Sequence, residues 1–202
     1  TNSSTAFQVL NASGGSLLTI DSTTANTVIN GSNVGETQAW PSTTANASNG
    51  GTFEDAGMVA ANGYMYVVGG FDNNTLATGT STVSYAKIKS NGALGNWTVT
   101  SPMPATLYHH TTVVSNGYIY TIGGFDDAIG YSDAVYYAKL NSDGTVGTWR
   151  STTPINNSST TRSEHASIVA NGYLYVIGGI DNGSAATNDI YYTKLNADGS
   201  VG

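Results

Sequence analysis

The chain has 202 residues and a mass of 20.8 kDa, with 25 Gly, 50 Ser plus Thr, and a net charge of −7 from six basic and thirteen acidic residues. That balance excludes a phosphate-tracking nucleic-acid binder, which needs clustered Lys and Arg. The absence of cysteine excludes disulfides, Cys-zinc sites, Fe–S clusters and Cys nucleophiles together.

Residues 1–33 are predicted to form a leader or a short β segment. Within 7–21, two strand-like runs flank Ser13-Gly14-Gly15. They resemble the repetitive β segments of large bacterial surface and fibre proteins; the alternative is a flexible Ser/Thr/Asn leader. Residues 34–50 read as one strand standing alone. Val34-Gly35-Glu36-Thr37-Gln38-Ala39-Trp40-Pro41-Ser42-Thr43-Thr44 echoes Val146-Gly147-Thr148-Trp149-Arg150-Ser151-Thr152-Thr153, with two extra residues before the Trp.

From residue 51 onward one pattern recurs three times. Asn62-Gly63-Tyr64, Asn116-Gly117-Tyr118 and Asn171-Gly172-Tyr173 stand 54 and 55 residues apart. The pairs Gly69-Gly70, Gly123-Gly124 and Gly178-Gly179 keep that spacing, and Trp97 and Trp149 are 52 apart. Each unit predicts four short strands. The first ends at Asn-Gly, a two-residue hairpin signal because both turn positions need positive φ. The second alternates as Tyr-x-Tyr-x-x-Gly-Gly, and the third is β-branched and aromatic, as in Val135-Tyr136-Tyr137-Ala138. An Asn-Gly or Asp-Gly turn then leads to a fourth strand bearing Trp. All four prolines, 41, 102, 104 and 154, follow a Trp strand, where no ladder donor is needed.

A four-stranded unit of about 54 residues, with Gly-Gly closing its second strand and Trp in its fourth, resembles a kelch repeat. The resemblance covers residues 51–202 and implies an all-β kelch-type β-propeller segment. Its parts are a leading fourth strand (34–50), blade units 51–104 and 105–156, and a unit 157–202 that stops before its last strand. The third unit keeps the family's Arg-x-x-His as Arg162-Ser163-Glu164-His165; the second keeps only His110, and the first has Ala56. Propellers close with four to eight blades, so the ring is expected to be incomplete within these residues. Either further blades of a longer chain complete it, or copies associate so that one copy's strand 38–44 completes another's last blade. Trp40, Trp97 and Trp149 are expected to be structural and buried between blades, and the six paired glycines are expected where backbones approach closely or φ turns positive.

Strand order separates two faces. The turns on Asn-Gly and Asp-Gly lie at one end of each blade, and the longer loops after Gly-Gly lie at the other, where binding surfaces usually form. That second face is predicted to collect the ligand-binding candidates Asp72, Tyr108, His109, Asp126, Asp127, Arg162, Glu164 and Asp181. Aromatic rings beside carboxylates on such a rim suit a sugar or a polar peptide. The plainer alternative is that the aspartates cap loop backbone and the histidines are structural. No catalytic residue, cofactor or metal site is assigned. A galactose-oxidase-like radical site needs a cysteine, and the only acid/base candidates, Arg162, Glu164 and His109, cluster in one part of the ring. The expectation is a surface-exposed binding or structural module, an adhesin or fibre component outside the cell, contacting glycan, surface protein or its own copies. The alternative is a fragment of a secreted, sugar-isomerase-like propeller enzyme. Neither nucleic acid nor a membrane span is expected among its partners.

Overall fold

A computed structural model describes residues 5–10, 16–21, 27–29, 32–33, 42, 53–72, 78–158, 160–182 and 185–202. The chain divides into two compact units, Thr1–Ser42 and Thr43–Gly202. The first contains an antiparallel four-stranded sheet in chain order: β1 (Thr5–Leu10), β2 (Ser16–Asp21), β3 (Thr27–Ile29) and β4 (Ser32–Asn33). The two runs read from the sequence are β1 and β2, paired with Gln8 opposite Thr19. Residues 34–41 and 43–50, including Trp40, lie outside the described residues, and so does the lone fourth strand expected there.

The second unit is a series of antiparallel blades. Blade 1 comprises β6 (Gly57–Ala61), β7 (Tyr64–Val68), β10 (Val83–Lys87) and β11 (Thr98–Val99). Blade 2 repeats it with β12 (Thr111–Ser115), β13 (Tyr118–Ile122), β16 (Val135–Lys139) and β17 (Arg150–Ser151). Blade 3 has β18 (Ala166–Ala170), β19 (Tyr173–Ile177) and β20 (Ile190–Lys194). Small sheets crown the first two: β5 (Phe53–Glu54), β8 (Phe71–Asp72) and β9 (Thr78–Gly79) on blade 1, and β14 (Phe125–Asp126) with β15 (Gly130–Tyr131) on blade 2. The innermost strands β6, β12 and β18 lie side by side, and the ring is not closed.

Local chemistry explains the register. The hairpin joining β12 to β13 turns on Asn116 (φ 51°) and Gly117 (φ 80°), the two left-handed positions a tight hairpin requires. Side chains then alternate along β13, and both of its faces are covered. Ile119 joins Tyr66, Val68, Val83, Leu107 and Trp149 in a core between blades 1 and 2. Tyr120 and Ile122 join Val135, Leu174 and Val176 in a second core between blades 2 and 3. Apolar burial between blades therefore replaces a single central core.

Trp149 is buried, and its indole N–H donates to the Ser101 carbonyl at 3.0 Å, tying the fourth strand of blade 2 to the end of blade 1. Trp97 differs from the expectation in being half-buried, and the segment preceding blade 1 in sequence lies outside the described residues.

The paired glycines sit where blades meet. The Gly123 N–H donates within blade 2 to the Ala134 carbonyl, and the Gly124 N–H donates across to the Arg162 carbonyl of the next unit at 2.7 Å. Gly123 has φ 60°, and a side chain there would collide with the Arg162 carbonyl and meet the His165 ring at 3.0 Å. Positive φ and a close approach thus coincide at Gly123.

Candidate functional site on the loop-rich face

Each blade enters its innermost strand through a residue with left-handed backbone: Asp55 (φ 55°), His109 (φ 54°) and Glu164 (φ 54°). Such a conformation is uncommon for a non-glycine residue. These three form a staircase. The His109 N–H donates to the Asp55 carbonyl at 3.2 Å, and the Glu164 N–H donates to the His109 carbonyl at 2.9 Å. The His109 Nδ1 also lies 3.6 Å from an Asp55 carboxylate oxygen. Asp55 and Glu164 are exposed and His109 is half-buried, so the backbone steps present carboxylate, imidazole and carboxylate in blade order.

An aromatic row runs beside the staircase. The Tyr108 ring stands 5.0 Å from Phe71 and 5.4 Å from Phe125, and Phe125 stands 5.2 Å from Tyr131. Tyr108 exchanges both backbone hydrogen bonds with Phe125, which fixes its place on the crown of blade 2. Its hydroxyl donates to Asp127 Oδ1 at 3.0 Å, and Asp127 Oδ2 accepts the Gly79 N–H of blade 1 at 2.7 Å. Burial first, and then the hydrogen bond to Asp127, push the Tyr108 phenol up to about 12, so it stays a neutral donor.

The eight candidates fall into a surface group of four, a buried group of three, and Asp181 apart from both. Tyr108, His109, Asp127 and Glu164 come together on this surface around the blade 1–blade 2 junction and the inner staircase. Asp181, half-buried, accepts the Ala185 N–H of its own loop at 3.3 Å. Asp72, Asp126 and Arg162 are buried and serve the scaffold. Asp126 accepts from Thr106 Oγ1 at 3.0 Å and from the Ala128 N–H at 2.8 Å, the loop-capping role of the plainer alternative. Arg162 is only 2% exposed. It donates to Asp189 Oδ2 and to the Thr161 carbonyl, each at 3.0 Å, and its guanidinium lies 5.3 Å from the Tyr191 ring centre. Since Leu107 holds the same place one unit earlier, the guanidinium occupies a core position and is neutralised there by Asp189.

The histidines of the inner strands are likewise structural. Burial first, and then the neighbouring His165, push the His110 imidazole down to about 4, against opposition from the Val68 and Leu107 backbone. Burial and then Arg162 push His165 down to about 4, and its Nε2 lies 2.8 Å from Thr111 Oγ1 on blade 2. Among the described residues, no cluster of three His, Asp or Glu side chains could hold a metal ion.

Sequence reasoning missed the periodicity of the staircase, because Asp55, His109 and Glu164 differ in residue type and only their shared backbone conformation marks them. It also missed a groove of about 470 Å³ near the opposite turns, where Lys139, Arg150 and Asp198 surround Tyr118 and Tyr137.

A family model described as the KLHDC2/KLHL20/DRC7 Kelch-repeats domain matches residues 35–199. A solved structure entitled "Structure of YjhT" is similar in fold at a TM-score of 0.59 and 18% sequence identity. The alignment covers 92% of this chain and 50% of that one, so the chain spans about half the length of that protein. No curated protein sequence matches the chain.

Proposed function

Since the chain belongs to the kelch-repeat family, we propose that it is a surface-exposed binding or structural module, of the adhesin or fibre-component kind, whose loop-rich face contacts glycan or protein. The observation that carries this reading is the Tyr108 environment. Its ring is flanked by Phe71 and Phe125, and its hydroxyl is oriented by Asp127 beside the exposed staircase. Aromatic faces bind the apolar faces of sugar rings or peptide side chains, and adjacent carboxylates accept hydrogen bonds from hydroxyl and amide groups. The low charge, absent cysteine and high Ser, Thr, Asn and Gly content support a location outside the cell.

A glycan and peptide array probed with the 202-residue chain tests the reading. Retention of at least one ligand class is expected, with roughly tenfold weaker retention by Tyr108→Ala and Asp127→Ala. No retention above a scrambled control, or equal retention by both variants, overturns it.

A second reading, a sugar-isomerase-like enzyme, draws on the hydrogen-bonded succession of His109 and Glu164 at the inner mouth. Such chemistry needs acid and base groups within hydrogen-bond reach of the protons they move. Turnover of a reducing sugar, abolished by Glu164→Gln with binding retained, would establish it in place of the first.

A further inference from the structure

The basic residues of the chain are segregated. Of its six, only Arg162 stands at the loop-rich end of the blades, and it is buried. Lys87, Lys139 and Lys194 end the third strands, Lys89 follows the first of them, and Arg150 opens β17. These five lie toward the Asn-Gly and Asp-Gly turns, and all are exposed. Among the described residues, the carboxylates at that end are Asp143 and Asp198, each engaged by its own turn. Asp198 accepts the Ser200 N–H at 3.0 Å and the Ser200 hydroxyl at 2.7 Å, and Asp143 holds Thr145 in the same way. A chain of net charge −7 thus carries its exposed positive charge at one end of its blades.

Two of these cations converge on one groove. It measures about 470 Å³ and lies between β16, β17 and the blade 3 turn that bears Asp198, a size usual for a small-ligand cleft. Arg150 pairs opposite Tyr137, and Lys139 stands two residues beyond Tyr137 on the same face. That register sets the two cations diagonally across the strand pair, about 7–8 Å apart at the backbone. Among the described residues, ion pairs form only at His109–Asp55 and Arg162–Asp189, so both cations of the groove are unpaired. Like charges at this spacing repel, and an anion between them removes the repulsion. Blade register keeps the positions open. At the junction of blades 1 and 2 the corresponding Lys87, Asn96 and Thr98 are exposed as well, beside a blade with all four of its strands. The rest of the lining is largely neutral, with hydroxyl or amide groups on Tyr118, Tyr137, Asn141 and Thr148.

We propose that this groove is a binding site for an acidic sugar, whose carboxylate or sulfate group is held by Lys139 and Arg150. An anionic group between a guanidinium and an ammonium accepts charge-assisted hydrogen bonds from both. The ring hydroxyls of a sugar then meet the neutral hydroxyl and amide groups around it. The Asp198 carboxylate opposes binding, but two cations against one carboxylate leave the groove positive. The site lies at the other end of the blades from Tyr108 and does not depend on that surface.

Titration calorimetry of the 202-residue chain tests the proposal. The probes are a galacturonate oligomer, a sulfated dextran oligomer, an uncharged maltose oligomer, sodium sulfate and a glutamate oligopeptide. One or both acidic oligosaccharides should bind, the pair distinguishing carboxylate from sulfate, and the maltose oligomer should not. Lys139→Gln and Arg150→Gln should each weaken that binding roughly tenfold. Lys194 shares the face of exposed Tyr192, away from blade 2, so Lys194→Gln removes the same charge outside the groove and should leave affinity unchanged. Asp198→Asn should strengthen binding about threefold. The turn tolerates that change, since Asn91 holds the same place in blade 1 and accepts the Ala93 N–H at 3.1 Å. A misfolded variant cannot bind more tightly. The proposal is overturned if neither acidic oligosaccharide binds, or if maltose oligomer or sodium sulfate binds as tightly. Tighter binding of the glutamate oligopeptide, equal weakening by Lys194→Gln and Lys139→Gln, or no gain from Asp198→Asn would overturn it as well.

Discussion

Gly123 and its neighbour Thr121 are both fully enclosed by blade 2 and what packs on it, yet they should answer substitution in opposite ways. Gly123→Val places a branched side chain in left-handed backbone and against the Arg162 carbonyl, so a loss of about 3 kcal/mol or more is expected. Thr121→Val conserves volume and removes a hydroxyl with no hydrogen-bond partner, so it should change stability by less than about 1 kcal/mol. Urea titration of both variants measures the contrast, and equal losses would disprove it. Gly178 offers a control: it shares the positive φ, but among the described residues an added carbon meets only the Thr187 carbonyl at 3.3 Å, so Gly178→Ala should cost less than Gly123→Ala. The buried histidines make a pH prediction at the same scale. Both are held at about 4, below the ordinary 6.5, so between these values the unfolded chain binds more protons than the folded one. Their stabilising contribution is complete above pH 6.5 and is lost as pH falls to about 4, by up to about 3 kcal/mol per residue. Denaturant melts at about pH 7.5 and about pH 4.5 should show the loss, and His110→Gln with His165→Gln should remove most of the difference.

Individual strands differ in how much of the inter-blade packing they hold. β13 is covered on both faces and paired on both edges, whereas β20 has one described partner strand and exposed Ile190 and Tyr192. Amides of β13 should therefore exchange with deuterium only on global opening, and those on the outer edge of β20 should exchange through local opening. Comparable protection of the two strands would contradict this division. The fourth strand of blade 2 is short, only Arg150–Ser151, and its anchor is Trp149. Trp149→Ala removes a buried aromatic and its hydrogen bond to the preceding blade, at an expected cost of about 3–5 kcal/mol. Trp97→Ala should cost clearly less, because its indole is half-buried. Chemical denaturation ranks the pair, and a reversed order would misplace the anchor.

At the scale of the molecule, the repeat makes one interface predict the next. Val135 and Tyr137, which are 3% and 9% exposed, help bury the junction of blades 2 and 3. Ile190 and Tyr192 hold the same places in blade 3 and are 61% and 69% exposed. Together with Ile168 they form an apolar face that no described residue covers. Ile190→Glu should leave the melting temperature within a few degrees, since its side chain is 61% exposed. A drop like that of a core substitution would show instead that this face is internally supported.

Sequence alone determined the parts of this protein that local chemistry dictates. The Asn-Gly and Asp-Gly turns, the period-two alternation of β7, β13 and β19, and the recurrence every 54 or 55 residues specify hairpins, strands and blade number among these residues, because each depends on neighbours a few positions away. The sorting of the site residues was decided only by tertiary structure. Asp126 and Asp127 are adjacent in sequence, but one is buried under Thr106 and the other faces outward to hold Tyr108 and Gly79. Arg162 reads as a surface cation and is instead buried, with exposed Asp189 and half-buried Tyr191 against its guanidinium, while the unlike Asp55, His109 and Glu164 share one backbone step. These outcomes depend on contacts some 20 to 55 residues apart in the chain, within one blade unit for Asp126 and Arg162 and between blades for Asp127 with Gly79 and for the shared backbone step. Composition and spacing carry no information about burial at that range, whereas close packing between blades decides it.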